Sequence, residues 1–214
     1  RSRGLGDVYK RQVVEAAMKS GSKNLIFISV VGADPESKNA YFRSKGAAEK
    51  LIIDTAVGSS KLRTPLLFGP SAAGSQAVIG MVSSGQAKLL GGGHYQMRPL
   101  DIDDLSEALV KLCLNPKGGQ STYELVGPES ASYREIITKT AEVMDKTVTF
   151  GSIPIFLAKI GAAVTSILKG GGITPTVIEV ITQDEVVKTN ADSAIGITLT
   201  PLKETLKKMT TPGE

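Results

Sequence analysis

The sequence predicts an α/β fold: an open, mostly parallel sheet early in the chain, followed by a smaller α/β region. Three observations carry that expectation. Asn24–Val31 (NLIFISVV) is an unbroken apolar run rich in β-branched residues, the pattern of a parallel strand buried on both faces. Residues 40–57 repeat apolar positions at helical spacing, with Ala47, Ala48, Leu51 and Ile52 on one face and Lys and Glu opposite. Lys61–Phe68 is a second short strand closed by Gly69-Pro70. Strand, helix and strand in close succession make one right-handed crossover unit.

The remaining elements follow from local signals. Val13–Lys19 reads as the end of a helix that Gly21 stops, and Asp34-Pro35-Glu36-Ser37 is a loop by composition. Ala77–Ser84 is a helix, and Lys88–Leu90 leads into Gly91-Gly92-Gly93. Asp104 with Glu107 is the expected capping pair of a helix over Leu105–Leu114, which stops at Asn115-Pro116. Thr122–Val126 is a strand, Ser132 with Glu135 caps a helix to about Met144, and Val148–Ser152 is a strand. Pro154–Leu168 is a strongly apolar helix ended by Gly170-Gly171-Gly172. Thr176–Gln183 is helical, and Pro201 opens the last helix, Leu202–Met209.

Residues 1–12 (RSRGLGDVYKRQ) show no apolar period and resemble a translated adapter scar. The expectation is that they are not native and that the authentic sequence starts inside a helix near Val13. Gly4-Leu5-Gly6 lacks a preceding strand and a third glycine, so it is no phosphate loop. The expected organisation is a sheet domain over 13–70 and a second region over 71–214.

Composition excludes several functions. At 214 residues, 41% hydrophobic and 21% charged, the chain is ordinary globular protein. Of the net charge of +4, the first twelve residues supply +3, which leaves no basic stripe for nucleic acid. The single cysteine, Cys113, permits no internal disulfide and points to a reducing, cytoplasmic compartment; it reads as a buried helix residue. The apolar stretch 153–168 is interrupted by Lys159 and is shorter than the ~20 residues a bilayer requires. It leaves room for contact at a membrane surface. His94, the only histidine, has no ligand-spaced companion, so no metal site is expected. Asp101, Asp103 and Asp104 look like paired carboxylates, but Asp104 reads as a helix cap, and no glycosidase or metal role follows from them.

Tyr41 and Lys45 stand four apart on a helix and so share a face. A cation beside a phenol favours the phenolate, and such a tyrosine can exchange a proton with a carbonyl or hydroxyl oxygen while a hydride moves. Ser29, at the end of the preceding strand, can hydrogen-bond the same oxygen. The spacing alone is a weak signal.

Its context is more specific. Phe27-Ile28-Ser29, Tyr41-Phe42-Arg43-Ser44-Lys45, and Leu62-Arg63-Thr64-Pro65-Leu66-Leu67-Phe68-Gly69-Pro70 occur in that order. Pro99-Leu100-Asp101-Ile102-Asp103-Asp104-Leu105, Tyr123–Glu129 and Ser132–Ile136 follow. In these segments the chain resembles the extended and atypical branches of the short-chain dehydrogenase/reductase superfamily, over essentially all of residues 13–214. The subgroup with NmrA-like proteins and the NAD(P)-binding accessory subunit of respiratory complex I is the most similar.

The resemblance implies an incomplete Rossmann (doubly wound parallel) sheet with a smaller carboxyl-terminal substrate subdomain, cut off before the glycine-rich cofactor loop. It implies NAD or NADP as cofactor and an NAD(P)-dependent oxidoreductase acting on a small or lipid-like carbonyl or alcohol. Tyr41 would be the acid/base, Lys45 would hold the nicotinamide ribose and tune Tyr41, and Ser29 would assist. Ser29 and Val30 would line the nicotinamide pocket, with Pro65 and Leu66 at the tip of the next strand. The alternative is a non-catalytic NAD(P)-binding or redox-sensing module of a larger assembly, and a third reading is a membrane-surface protein. Met97 falls where members using nucleotide sugars often carry an arginine for the diphosphate; neighbouring Arg98 is the substitute. Without the phosphate loop, the chain is expected to hold half a cofactor site.

Overall fold

The computed structural model describes residues 12–22, 24–53, 58–116, 119–169 and 174–211. The chain divides into two compact units, each assembled from three segments. The first unit comprises Arg1–Thr64, Leu105–Leu125 and Val187–Thr198; the second comprises Pro65–Asp104, Val126–Val186 and Leu199–Glu214.

In the first unit, residues 12–19 form helix α1. Gly21 ends it at φ 71°, while Ser22 N–H reaches back to the Ala17 carbonyl at 3.1 Å. Strand β1 (Asn24–Val30), helix α2 (Ala40–Ile53) and strand β2 (Gly58–Thr64) form the crossover unit. The two strands are parallel, with Ser29 opposite Arg63 and Val30 opposite Thr64. Strand β7 (Gln120–Glu124) joins β2, also in parallel, and places Glu124 opposite Arg63. The order β1-β2-β7 therefore lays Ser29, Arg63 and Glu124 in one row across the sheet.

Residues paired across neighbouring strands point to the same face. Arg63 bonds Glu49 of α2, so the row Ser29–Arg63–Glu124 faces that helix. On the opposite face Asn24 Nδ2 donates to the Leu112 carbonyl, in the part of helix α4 (Ile102–Leu114) that belongs to this unit. Helices thus cover both faces, as in a doubly wound sheet.

One expectation fails at β1. The apolar run predicts burial on both faces, yet Leu25, Ile26 and Phe27 are only half-buried and Ile28 is 44% exposed. The physical reason is that β1 has a neighbour at one edge only among the described residues. Two further corrections belong to α4 and α2. Helix α4 starts at Ile102, so Asp104 lies inside its first turn and is not its cap; Asp101 accepts the Asp103 N–H at 2.9 Å instead. Cys113, expected in the core, is exposed on α4. On α2, Ala48 and Ile52 are buried as the pattern predicts, but so is Glu49, because Arg63 receives its carboxylate. Residues 54–57, the expected end of this helix, lie outside the described residues.

The second unit has its own core. Strands β3 (Leu67–Phe68) and β6 (Leu100–Asp101) pair in parallel, as do β4 (Gln86–Leu90) and β9 (Thr149–Ile153), while β5 (Gln96–Met97) and β8 (Ala131–Ser132) are antiparallel. Phe68, Val78, Val82, Leu89, Ile136 and Leu206 close its interior, drawing on α3 (Ala73–Ser83), α5 (Tyr133–Val143) and α9 (Leu202–Thr210). The capping box predicted at Ser132 and Glu135 is present, and its hydrogen bonds hold the Glu135 carboxyl below the usual range. The apolar helix is α6 (Ile155–Lys169), followed by α7 (Pro175–Ile181); α8 (Asp192–Ile195), in the first unit, has no clear sequence signal.

Candidate functional site

The loop between β1 and α2 is fixed by a few local contacts. Gly32 takes φ 82° beneath the Phe42 ring, and Asp34 N–H donates to the Phe42 carbonyl at 3.2 Å. Asp34 Oδ1 accepts the Glu36 N–H at 2.9 Å, an Asx turn. Gly46 lets this loop lie directly on α2: a Cβ there would stand 2.2 Å from the Pro35 nitrogen. Asn39 caps the helix, with Oδ1 accepting the Tyr41 N–H at 2.9 Å. Arg43 donates to the Ser37 and Lys38 carbonyls at 2.6 and 3.0 Å and ties the loop down from the helix side.

Tyr41 therefore sits in the first turn of α2, 37% exposed, edge-on to Phe42. Lys45 lies one turn on, its Nζ 5.8 Å from the centre of the Tyr41 ring. The pair meets as the spacing predicts. The electrostatic outcome is different: burial holds the Tyr41 phenol above its ordinary pKa of 10.0, opposite to the direction expected from Lys45 alone. The cation lies at cation–π range of the ring, and half-burial of the phenol is what decides the direction.

Ser29 is 1% exposed at the carboxyl end of β1, and its Oγ has no hydrogen-bond partner among the described residues. Buried hydroxyls are nearly always bonded, so such a group needs a reason. Ser59 Oγ shares this property, but at the amino end of β2. Val30 follows Ser29 and is half-buried; its carbonyl accepts the Ala33 N–H at 3.1 Å, and Val31 N–H donates to Thr64.

Pro65 and Leu66 open the second unit. Both main-chain polar groups of Leu66 are engaged there. Its N–H donates to Glu185, a carboxylate that burial pushes upward, and its carbonyl accepts the Leu100 N–H at 3.0 Å. Met97 is buried in the core of this unit. Arg98 donates from Nε to the Gly127 carbonyl at 3.0 Å and from Nη2 to that of Pro128 at 3.3 Å. Gly91–Gly93 form a 3₁₀ turn with all three φ values positive, after β4, and not a strand-to-helix loop. Gly170–Gly172 lie outside the described residues.

The sequence reading missed the ion group on this face of the sheet. Arg63 binds Glu49 through both carboxylate oxygens, Nε to Oε1 at 3.0 Å and Nη2 to Oε2 at 2.7 Å, and reaches Glu124 at 3.3 Å. A signal was available: Glu49 follows Lys45 by four residues and Tyr41 by eight, on the same helical stripe. Among the described residues no group of three or more His, Cys, Asp or Glu could hold a metal ion. No described helix is long and apolar enough to cross a membrane.

No family model and no curated protein sequence matches the chain. Solved structures do. Triphenylmethane reductase of Citrobacter sp., complexed with NADP(H), aligns at a TM-score of 0.72 and 23% identity over 97% of this chain and 72% of its own. MoeE5, in complex with UDP-glucose and NAD, aligns at 0.69 and 16% over 94% of this chain and 68% of its own. UDP-glucose 4-epimerase of Thermotoga maritima aligns at 0.69 and 16%, over 94% and 66%. The chain has the Rossmann-like α/β fold of these epimerases and reductases.

Proposed function

We propose that this chain carries the nicotinamide side of the cofactor site of an NAD(P)-dependent oxidoreductase of the short-chain dehydrogenase/reductase type. The observation that carries the reading is the unpartnered, buried Ser29 hydroxyl at the carboxyl end of β1. It lies on the sheet face covered by the helix that bears Tyr41 and Lys45. Ligands of open α/β sheets bind outside the carboxyl ends of the strands. The neighbours' bound dinucleotides agree in kind, and the chain spans 66–72% of the three neighbours' lengths. No glycine-rich strand-to-helix phosphate cradle stands among the described residues.

NAD or NADP would hold its nicotinamide ribose at Lys45, with Ser29 and Val30 beside the ring; the cofactor would supply the hydride. Tyr41 would then give its proton to the substrate oxygen, with Ser29 Oγ donating to the same atom. A phenol kept protonated by burial is in the right state for carbonyl reduction. The substrate class proposed is a small or lipid-like carbonyl or alcohol, as the resemblance implies.

The second reading is a non-catalytic NAD(P)-binding module of a larger assembly, and the upward direction at Tyr41 favours it for the oxidation direction, where a phenolate is required. Two variants separate them. For an enzyme, Tyr41→Phe lowers turnover by ~10²–10⁴-fold with cofactor affinity nearly intact, while Lys45→Ala weakens cofactor binding as well. For a binding module, Tyr41→Phe changes nothing and Lys45→Ala lowers affinity alone. Equal affinity loss in both variants, with no turnover in the wild type, contradicts the catalytic assignment.

A further inference from the structure

We infer that Arg63, clasped between Glu49 and Glu124, is a positioning residue that sets helix α2, and with it Tyr41 and Lys45, against the sheet face that carries Ser29. This rests on the reading of those three residues as the reacting group, but its test does not.

The geometry is specific. Ser29, Arg63 and Glu124 are consecutive partners across β1, β2 and β7, so their side chains leave the same face of the sheet. Arg63 is the middle member. It reaches sideways to Glu124 and upward to Glu49, whose side chain is 7% exposed. Glu49 stands on the stripe of α2 that also carries Lys45 and Tyr41, two turns back or ~12 Å along the axis. A two-pronged guanidinium–carboxylate contact fixes rotation as well as distance. The apolar contacts of α2 do neither so well, since Ala48 and Ile52 attract without direction. A rotation by one residue, ~100°, would turn Tyr41 and Lys45 around the helix axis relative to that face.

Stability alone is a poor reason for this pair. A buried ion pair is often replaceable by apolar residues of like volume without loss of stability, so the register it imposes is the better account of it. Asn39 fixes the start of α2 and the loop contact at Gly46 holds its middle; the ion pair holds it three residues further on, at Glu49.

The Tyr41 phenol reports the position of the helix. Its burial holds it above 10.0, so displacement of α2 toward solvent reads as a lower titration midpoint. Ring-¹³C NMR of the purified chain, with Tyr41 assigned by its loss in Tyr41→Phe, follows this in the wild type, in Arg63→Lys and in the apolar pair Glu49→Leu/Arg63→Met. Arg63→Lys keeps the charge and loses the fork. Both variants are expected to melt cooperatively, with the Tyr41 midpoint lowered by about half a pH unit or more. Tyr95 and Tyr133, stacked in the other unit, should not move. If the apolar pair does not fold, Arg63→Lys decides by itself. A folded variant whose Tyr41 titrates as in the wild type overturns the inference, as does an equal movement of all three tyrosines. The titration reads where the ring sits, so a failure of the Tyr41→Phe turnover test leaves its outcome standing.

Discussion

Asp101 shows how much one buried carboxylate can organise. Its side chain is fully enclosed, and it accepts from Lys208 Nζ at 2.9 Å, from Thr205 Oγ1 at 3.0 Å and from the Asp103 N–H at 2.9 Å. It thus joins the last helix to the first turn of α4 within the second unit. Asp101→Ala removes all three bonds and leaves buried donors unmet, so it should cost about 2 kcal/mol or more, measurable as a shift in a urea midpoint. A change under about 0.5 kcal/mol would mean water replaces those bonds. The sequence shows three aspartates at a helix start but not which of them caps. Asp104 turns away to accept from the Thr200 N–H and hydroxyl, a partner 96 residues distant. Tyr41, Lys45 and Ser29 were legible because helical spacing and strand ends are local. Glu49 is visible on the same helical stripe, but its burial against Arg63 was not legible, because a buried charge is predicted only when its partner on another element is known.

At the scale of elements, the closest approach in the first unit is that of the 33–36 loop to α2. Gly46→Ala would place a methyl group 2.2 Å from one backbone atom and 2.3 Å from another, neither of which can swing aside. It should destabilise by about 1–3 kcal/mol or more and lower the melting temperature. Gly161→Ala, on α6 with open space around its Cβ, is the control and should be neutral or slightly stabilising. Equal melting temperatures for both would refute the close packing of this loop. Most elements were readable in the sequence to within a few residues, since apolar period and capping residues are local. What escaped were the two-residue strands β5, β6 and β8 and the short helix α8, too brief to show a period. The interruption at Pro65-Leu66, which splits one predicted strand into β2 and β3, has a cause in Pro65, which cannot donate to a ladder.

For the molecule as a whole, β1 combines an exposed apolar side chain with an open strand edge. Ile28 is 44% exposed, and among the described residues the strand is paired along one edge alone. An apolar strand with an open edge templates association with another chain. Self-association that rises with concentration is expected in gel filtration, and Ile28→Lys should reduce it while preserving a cooperative melt. Association unchanged by Ile28→Lys would place the contact elsewhere.

The central proposal is that Ser29, Val30, Tyr41 and Lys45 form the nicotinamide side of a dinucleotide site, with no glycine-rich phosphate cradle among the described residues. Titration of the isotope-labelled chain with NADPH and NADH to millimolar concentration, followed residue by residue in NMR spectra, tests it directly. The predicted result is saturable movement of the signals of those four residues with a dissociation constant above about 100 μM, weaker than ~5.5 kcal/mol. Binding that leaves those four signals still, no binding at any concentration reached, or a dissociation constant well below about 100 μM would contradict it.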